Sequence, residues 1–351
     1  AETGLPEEKA WPEGIRTFKV LFDVVGGCPD CPGPPAVPVP VTVDSLTYEN
    51  QDTYLVGTPG GDWYYHKDGG GFASLIDADA QDWISFHDIP GSRTAGEYRG
   101  IPNLIYEPGS DSYFHPGFTN ATTELVSHGP LKVVVRSVTD DPGNRWVLRW
   151  DFYPRFSRLT VEEVGISNGG DYWFLYEGTV GGALDAGDIV VRSDGTQTSA
   201  FDNSERWEEA VADPEWVYFR DTAASRYLYV SNDQRDTALD SYRSQGQTSG
   251  STPEMTVFGF GRVLNTTSNS LVPRMSGVGR TFTVGFGDDP LGAADLIASA
   301  TRPVDVTVGE PTSNVSAVPG EPRGAMILDQ NHPNPFNPLT TISFTLPADS
   351  H

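Results

Sequence analysis

The sequence predicts an all-β protein, a large antiparallel β-sandwich, on three observations. Glycine and proline are abundant, with 38 and 28 residues among 351, and no long run of helix formers shows an amphipathic period. Aromatic residues make up 11% of the chain, which suits the half-buried surfaces of sheets. Between Tyr113 and Gly182 lie successive segments in which apolar and polar residues alternate, two of the six histidines, and a dense set of aromatic residues.

Taken in order, residues 1–14 are polar and are expected to be poorly ordered, and a first strand is expected over Ile15–Val25. Cys28 and Cys31 follow as a Cys-x-x-Cys ahead of a proline-rich connector that runs to Pro40. No second cysteine pair exists to complete a zinc site, and no βαβ setting supports redox chemistry, so a local disulfide is expected. Strands are expected at Val41–Tyr48 and Tyr54–Val56.

Gly60–Phe72 is glycine-flanked and loaded with polar aromatics: Trp63, Tyr64, Tyr65, His66 and Lys67. Two readings stand side by side. The rings either plug the end of the sandwich, or offer faces for a sugar while His66 or Tyr65 exchanges a proton. Asp77, Asp79 and Asp82 are spaced to wrap a hard cation such as calcium, but the segment lacks the glycine and distal glutamate of an EF-hand loop; a solvated acidic turn is the competing reading. Trp83–His87 is expected as a strand, and Gly91–Gly100 as a polar loop whose Arg93 and Arg99, near Tyr98, either clasp a uronate carboxylate or pair with local acids. Tyr113 and His115 mark a second site candidate, since a histidine before Pro-Gly sits at the mouth of a turn.

Four neighbouring strands then form a meander at Leu131–Val138, Arg145–Tyr153, Ser157–Val164 and Asp171–Gly178, with Trp146, Leu148, Trp150 and Phe152 on one buried face. Ser127-His128-Gly129-Pro130-Leu131-Lys132-Val133, a Gly-Pro turn feeding a strand, resembles the supersandwich domain of galactose-mutarotase-like proteins and several polysaccharide lyases. That resemblance implies a fold and assigns no catalytic residue.

Beyond it, residues 181–201 read as loop, with Asp185, Asp188 and Asp194 beside glycines, and Trp207–Val211 reads as one or two helical turns. Strands are expected at Glu215–Phe219, Arg226–Val230, Met255–Arg262 and Thr281–Phe286, an exposed loop over Gln234–Pro253, and a short helix over residues 291–300. The sandwich spans 15–309, a Pro/Ser/Gly/Val linker 310–324, and a tail 325–351. The tail's Asn334-Pro335-Phe336-Asn337-Pro338 resembles the opening of the type A sorting domain of the type IX secretion system. That resemblance implies a partial Ig-like segment, truncated at residue 351, and a bacterial protein that is secreted or held at the cell surface by that machinery.

A formal net charge of −25 disfavours nucleic acid as a partner, because phosphates require Lys and Arg to displace their counterions. No apolar run approaches the ~20 residues of a membrane span. The function expected is that of a carbohydrate-active protein, most concretely a polysaccharide lyase. Arg93, Arg99 or calcium would neutralise a uronate, His66, Tyr65 or His115 would take the proton, and Trp63, Tyr64, Lys67, Tyr98 and Tyr113 would bind the polymer. A non-catalytic glycan-binding or cell-surface structural protein is the alternative, and a glycoside hydrolase using Glu124 and Glu177 a second.

Overall fold

The computed structural model describes residues 39–88, 99–103, 114–141, 144–165, 171–201, 206–244, 255–267 and 270–302, with short strands between 327 and 345. The expected first strand, Cys28, Cys31, Arg93, Tyr98, Tyr113 and the linker lie outside the described residues. Internal contacts divide the chain into two units, Val37–Thr301 and Ala1–Ala36 with Arg302–His351. In the second unit Ile327–Leu328 pairs with Phe344–Thr345, and His332–Asn337 with Leu339–Thr341.

The larger unit is an antiparallel β-sandwich. Its first sheet runs in chain order: β1 (Thr42–Tyr48), β2 (Gln51–Thr58), β3 (Gly61–His66) and β4 (Gly71–Asp77). A second meander, in another sheet, comprises β5 (Ala121–Gly129), β6 (Lys132–Asp141), β7 (Asn144–Phe152) and β8 (Phe156–Glu163). Then follow β9 (Phe174–Gly178), β10 (Asp188–Arg192), β11 (Gln197–Ser199), β12 (Arg206–Glu209), β13 (Trp216–Asp221) and β14 (Tyr227–Asn232). The unit closes with β15 (Asp240–Ser244), β16 (Thr256–Phe260), the hairpin β17 (Arg262–Asn265) and β18 (Ser270–Pro273), β19 (Thr281–Gly287) and helix α1 (Ala293–Thr301). A nine-stranded sheet has the order β11-β10-β13-β14-β19-β8-β7-β6-β5, and a four-stranded sheet the order β12-β15-β16-β9.

The core forms where the large sheet meets the two smaller ones. Trp146, Leu148, Trp150 and Phe152 all point inward and are fully buried, as their alternation predicts. Phe72 meets Trp150 at 4.7 Å, Phe174 stacks on Phe282 at 4.5 Å, and Tyr176 meets Phe219 at 4.7 Å. The opposite face of the large sheet is covered by α1, through Ile297 and Ala300 against Tyr227, Tyr229 and Trp216. Among the described residues no helix is long and apolar enough to cross a membrane.

Several sequence expectations are corrected by long-range pairing. The segment at 171–178 is no neighbour of β8; it becomes β9 of the small sheet, and β5 takes the fourth place in the meander. Trp83–His87 is irregular, because the Asp82 carboxylate accepts from Leu75 N at 3.2 Å and Ile84 N at 3.0 Å and curls the chain back on β4. The expected loop at 181–201 contains β10 and β11. Trp207 sits in strand β12 instead of a helical turn, its ring 5.7 Å from Tyr242 and 5.9 Å from Phe258 across the sheet. Within the expected loop at 234–253, β15 buries Tyr242 on one side and turns Ser241 and Arg243 to the other, so polar residues mask its alternation.

Candidate active site

The small sheet has one apolar face and one charged face, and register decides which residues share each. Phe174 and Tyr176 of β9 enter the core, leaving Leu175 and Glu177 on the opposite face. Glu177 pairs with Val257, Val257 with Arg243, and Arg243 with Arg206, so these four form one row across the sheet. The next row on the same face is Leu175, Gly259, Ser241 and Glu208. Gly259 is a gap: a Cβ there would lie 2.2 Å from Leu175 Cδ2 and 3.0 Å from the Arg262 side chain. Arg262 follows Gly261, whose φ is +63°, and its Nη1 donates to Ser241 Oγ at 3.4 Å.

The strip Arg99–Asn103 closes the site along β9. Gly100 N donates to Glu177 O at 2.7 Å, Glu177 N to Gly100 O at 3.1 Å, and Leu175 N to Pro102 O at 2.8 Å. This places Asn103 Nδ2 to donate to Glu177 Oε2, and Arg99 Nη1 to donate to Ile84 O and Thr179 Oγ1.

Burial pushes the Glu177 carboxyl up to about 7, although Arg262, Arg243, Arg99 and the Asn103 hydrogen bond all act the other way. Burial also lowers Arg262 to about 10, with Glu177 partly holding it up. Glu177 therefore changes charge near neutral pH, beside fixed cations. Such a group can remove a proton while the guanidiniums stabilise the negative charge that develops. Among the described residues at this face, Arg99, Arg206, Arg243 and Arg262 outnumber Glu177 and Glu208, in a protein whose formal net charge is −25.

Of the residues expected from sequence, Arg99 and Glu177 meet here. Glu124 lies on edge strand β5, its exposed carboxylate 3.7 Å from Arg136. His66, Tyr65 and His115 are buried where the β3–β4 turn packs on the 114–118 segment. The His66 ring stands 5.3 Å from Phe86, and its Nδ1 accepts from Gly117 N at 3.1 Å; burial lowers it to about 4, so it is neutral at pH 7. Tyr65 bonds Ser137 Oγ at 2.7 Å, and burial raises its phenol. His115 lies 4.6 Å from Phe118, with Nδ1 against Pro116 O.

Trp63 is fully buried between Phe72, Phe152 and Phe286. Tyr64 faces outward, 4.4 Å from Tyr48, and Lys67 pairs with Asp52 at 2.9 Å over the Tyr54 ring. Asp77, Asp79 and Asp82 diverge. Asp77 accepts from Asp79 N, Gln81 N and Trp83 Nε1, Asp79 pairs with Arg226, and Asp82 accepts the backbone bonds given above. Arg243, Arg262, Asn103, Arg206 and Glu208 were not expected from sequence; the one usable signal was a lone carboxylate inside the aromatic run 172–178.

No family model matches the sequence, and no curated protein does. Among solved structures, a candidate mutarotase (YeaD) from Salmonella typhimurium aligns over 71% of this chain and 97% of its own, at 13% identity and TM-score 0.47. A candidate aldose 1-epimerase from Klebsiella pneumoniae aligns over 74% of this chain and 88% of its own, at 8% identity and TM-score 0.45. A TPR-domain containing protein from Parabacteroides distasonis aligns over 68% of this chain and 48% of its own, at 11% identity and TM-score 0.47. What the site can do rests on its own side chains.

Proposed function

We propose that the protein is a lyase acting on a uronate-containing polysaccharide, with Glu177 as its base. The observation that carries this is a carboxyl held at about 7 among Arg99, Arg243 and Arg262. A ligand suited to this face bears a carboxylate and an acidic C–H beside it, and a uronate unites the two. The guanidiniums neutralise its carboxylate and so acidify the adjacent C–H. Ionised Glu177 takes that proton, a carbon–carbon double bond forms, and the bond to the neighbouring glycosidic oxygen breaks. The proton then passes from Glu177 to the leaving oxygen, which restores the carboxylate.

Ultraviolet absorbance of a double bond conjugated to a carboxylate, recorded over a panel of uronate polymers, tests this. A rise is expected, increasing with pH through about 7 as Glu177 ionises. Glu177→Gln should lower it by about 10²–10⁴-fold. No rise on any polymer overturns the lyase. In that event faster mutarotation of freshly dissolved aldoses would assign the same carboxyl to the anomeric centre, and binding without turnover would leave a glycan-binding module.

A further inference from the structure

Asp185, Asp188 and Asp221 each bring one carboxylate oxygen within 4.8 Å of the others. The pleat and the turns dictate this meeting. Asp188 opens β10 and Asp221 closes β13, opposite each other in register. Asp185 lies in the turn before β10, held by Asp188 N donating to its carbonyl at 3.1 Å and by its own N donating to Asp188 Oδ2 at 2.7 Å. Gly187 N donates to Asp185 Oδ1 at 2.6 Å, and Ala223 N to Asp221 Oδ1 at 2.7 Å. Gly187 leaves room at the centre: a Cβ there would lie 2.8 Å from Asp221 Oδ1, 3.0 Å from Asp185 Oδ1 and 3.1 Å from Thr222 Oγ1.

A second observation points to a ligand. Asp188 is fully buried, and among the described residues its Oδ1 has no hydrogen-bond partner. Among the described residues none of the three aspartates forms an ion pair. Buried carboxylate oxygens are ordinarily paired, bonded or bound to metal, and like charges at this range repel.

We propose that Asp185, Asp188 and Asp221 bind a calcium ion, which fastens the crossover from β9 to β10 against the β13–β14 turn. The donors are hard oxygens, which exclude soft metals. Two oxygens on opposite sides of one ion stand about 4.6–5.2 Å apart for calcium but only about 4.0–4.2 Å for magnesium. The three oxygens all lie within 4.8 Å of one another, a span that calcium's longer bonds and flexible shell accommodate, whereas magnesium dehydrates reluctantly and demands a near-ideal octahedron. Thr222 Oγ1 and water would complete the shell. This site is independent of Glu177 and its chemistry.

Thermal unfolding and calorimetric titration of the whole chain, stripped with chelator and returned to calcium or magnesium, test the site. Calcium should bind with a Kd of about 10⁻⁵–10⁻³ M, at least about tenfold tighter than magnesium, and raise Tm by several degrees. Asp188→Asn should weaken binding at least about tenfold without lowering the Tm of the metal-free protein, because it removes repulsion. If Asp188→Asn fails to fold, Asp185→Asn in the exposed turn carries the same test. Absence of binding and of a Tm shift at about 10 mM calcium overturns the proposal. So does a shift that survives in both Asp185→Asn and Asp221→Asn, since the ion would then sit elsewhere, for instance near Asp77, Asp79 and Asp82.

Discussion

At the scale of the residue, one carboxyl and one indole show how burial separates chemistry from packing. Glu177 is an acid with three guanidiniums acting on it, a setting that ordinarily lowers a carboxyl; desolvation wins, and the group ends near neutrality. Trp63 sits in the same aromatic-rich kind of sequence, yet its face is given to Phe72, Phe152 and Phe286. Residue type was legible in both cases and role was not, because a tryptophan that stacks on sugar and one that fills a core have the same neighbours in sequence. Trp63→Ala is expected to cost about 3–5 kcal/mol of stability by urea unfolding. Polymer affinity of the fraction that remains folded should be unchanged. Lost affinity at normal stability would return Trp63 to the binding site.

At the scale of the element, the small sheet works because its strands are amphipathic with unequal faces. Phe174, Tyr176, Phe258, Phe260 and Tyr242 hold the inner face in the core, so the outer face carries Glu177 and Arg243 at fixed spacing, with Arg262 of β17 reaching over it to Ser241. Gly259 is the keystone of that outer face, since Leu175 and Arg262 occupy the space of its missing side chain. Gly259→Ala should destabilise by about 1–3 kcal/mol through overpacking, and should depress turnover more than stability loss explains, because Arg262 must move from Glu177. Thermal unfolding and initial rates measured on one preparation check both; unchanged values would show that Arg262 is not fixed by this contact. The polar outer face also explains why β15 was hidden in the sequence. Ser241 and Arg243 serve the site, so only Tyr242 signals burial.

At the scale of the whole molecule, buried titrating groups oppose one another. His66 is lowered from 6.5 to about 4 by burial, so the unfolded chain binds a proton that the folded one refuses. Its contribution to stability is complete above pH 6.5 and is lost as pH falls toward 4. Glu177 and Asp240 are each raised to about 7 by burial, so their effect runs the other way, and stability is lost as pH rises toward 7. The histidine is isolated by difference: the stability of the natural protein minus that of His66→Gln should fall by up to about 3 kcal/mol between pH 7 and pH 4. A flat difference in urea unfolding would show that His66 titrates normally. What the sequence by itself determined is the all-β class, most strands of the large sheet, the buried face of β7 and the short C-terminal helix, because alternation and turn chemistry are local properties of the chain. What only the tertiary structure decided is the site. Glu177 and Arg243 are joined by hydrogen-bond register between strands distant in the chain, Arg99 by the bridge of Gly100 to Glu177, and Arg262 by the reach of β17 to Ser241. A shift of one residue in the strand pairings would turn Glu177 and Arg243 into the core.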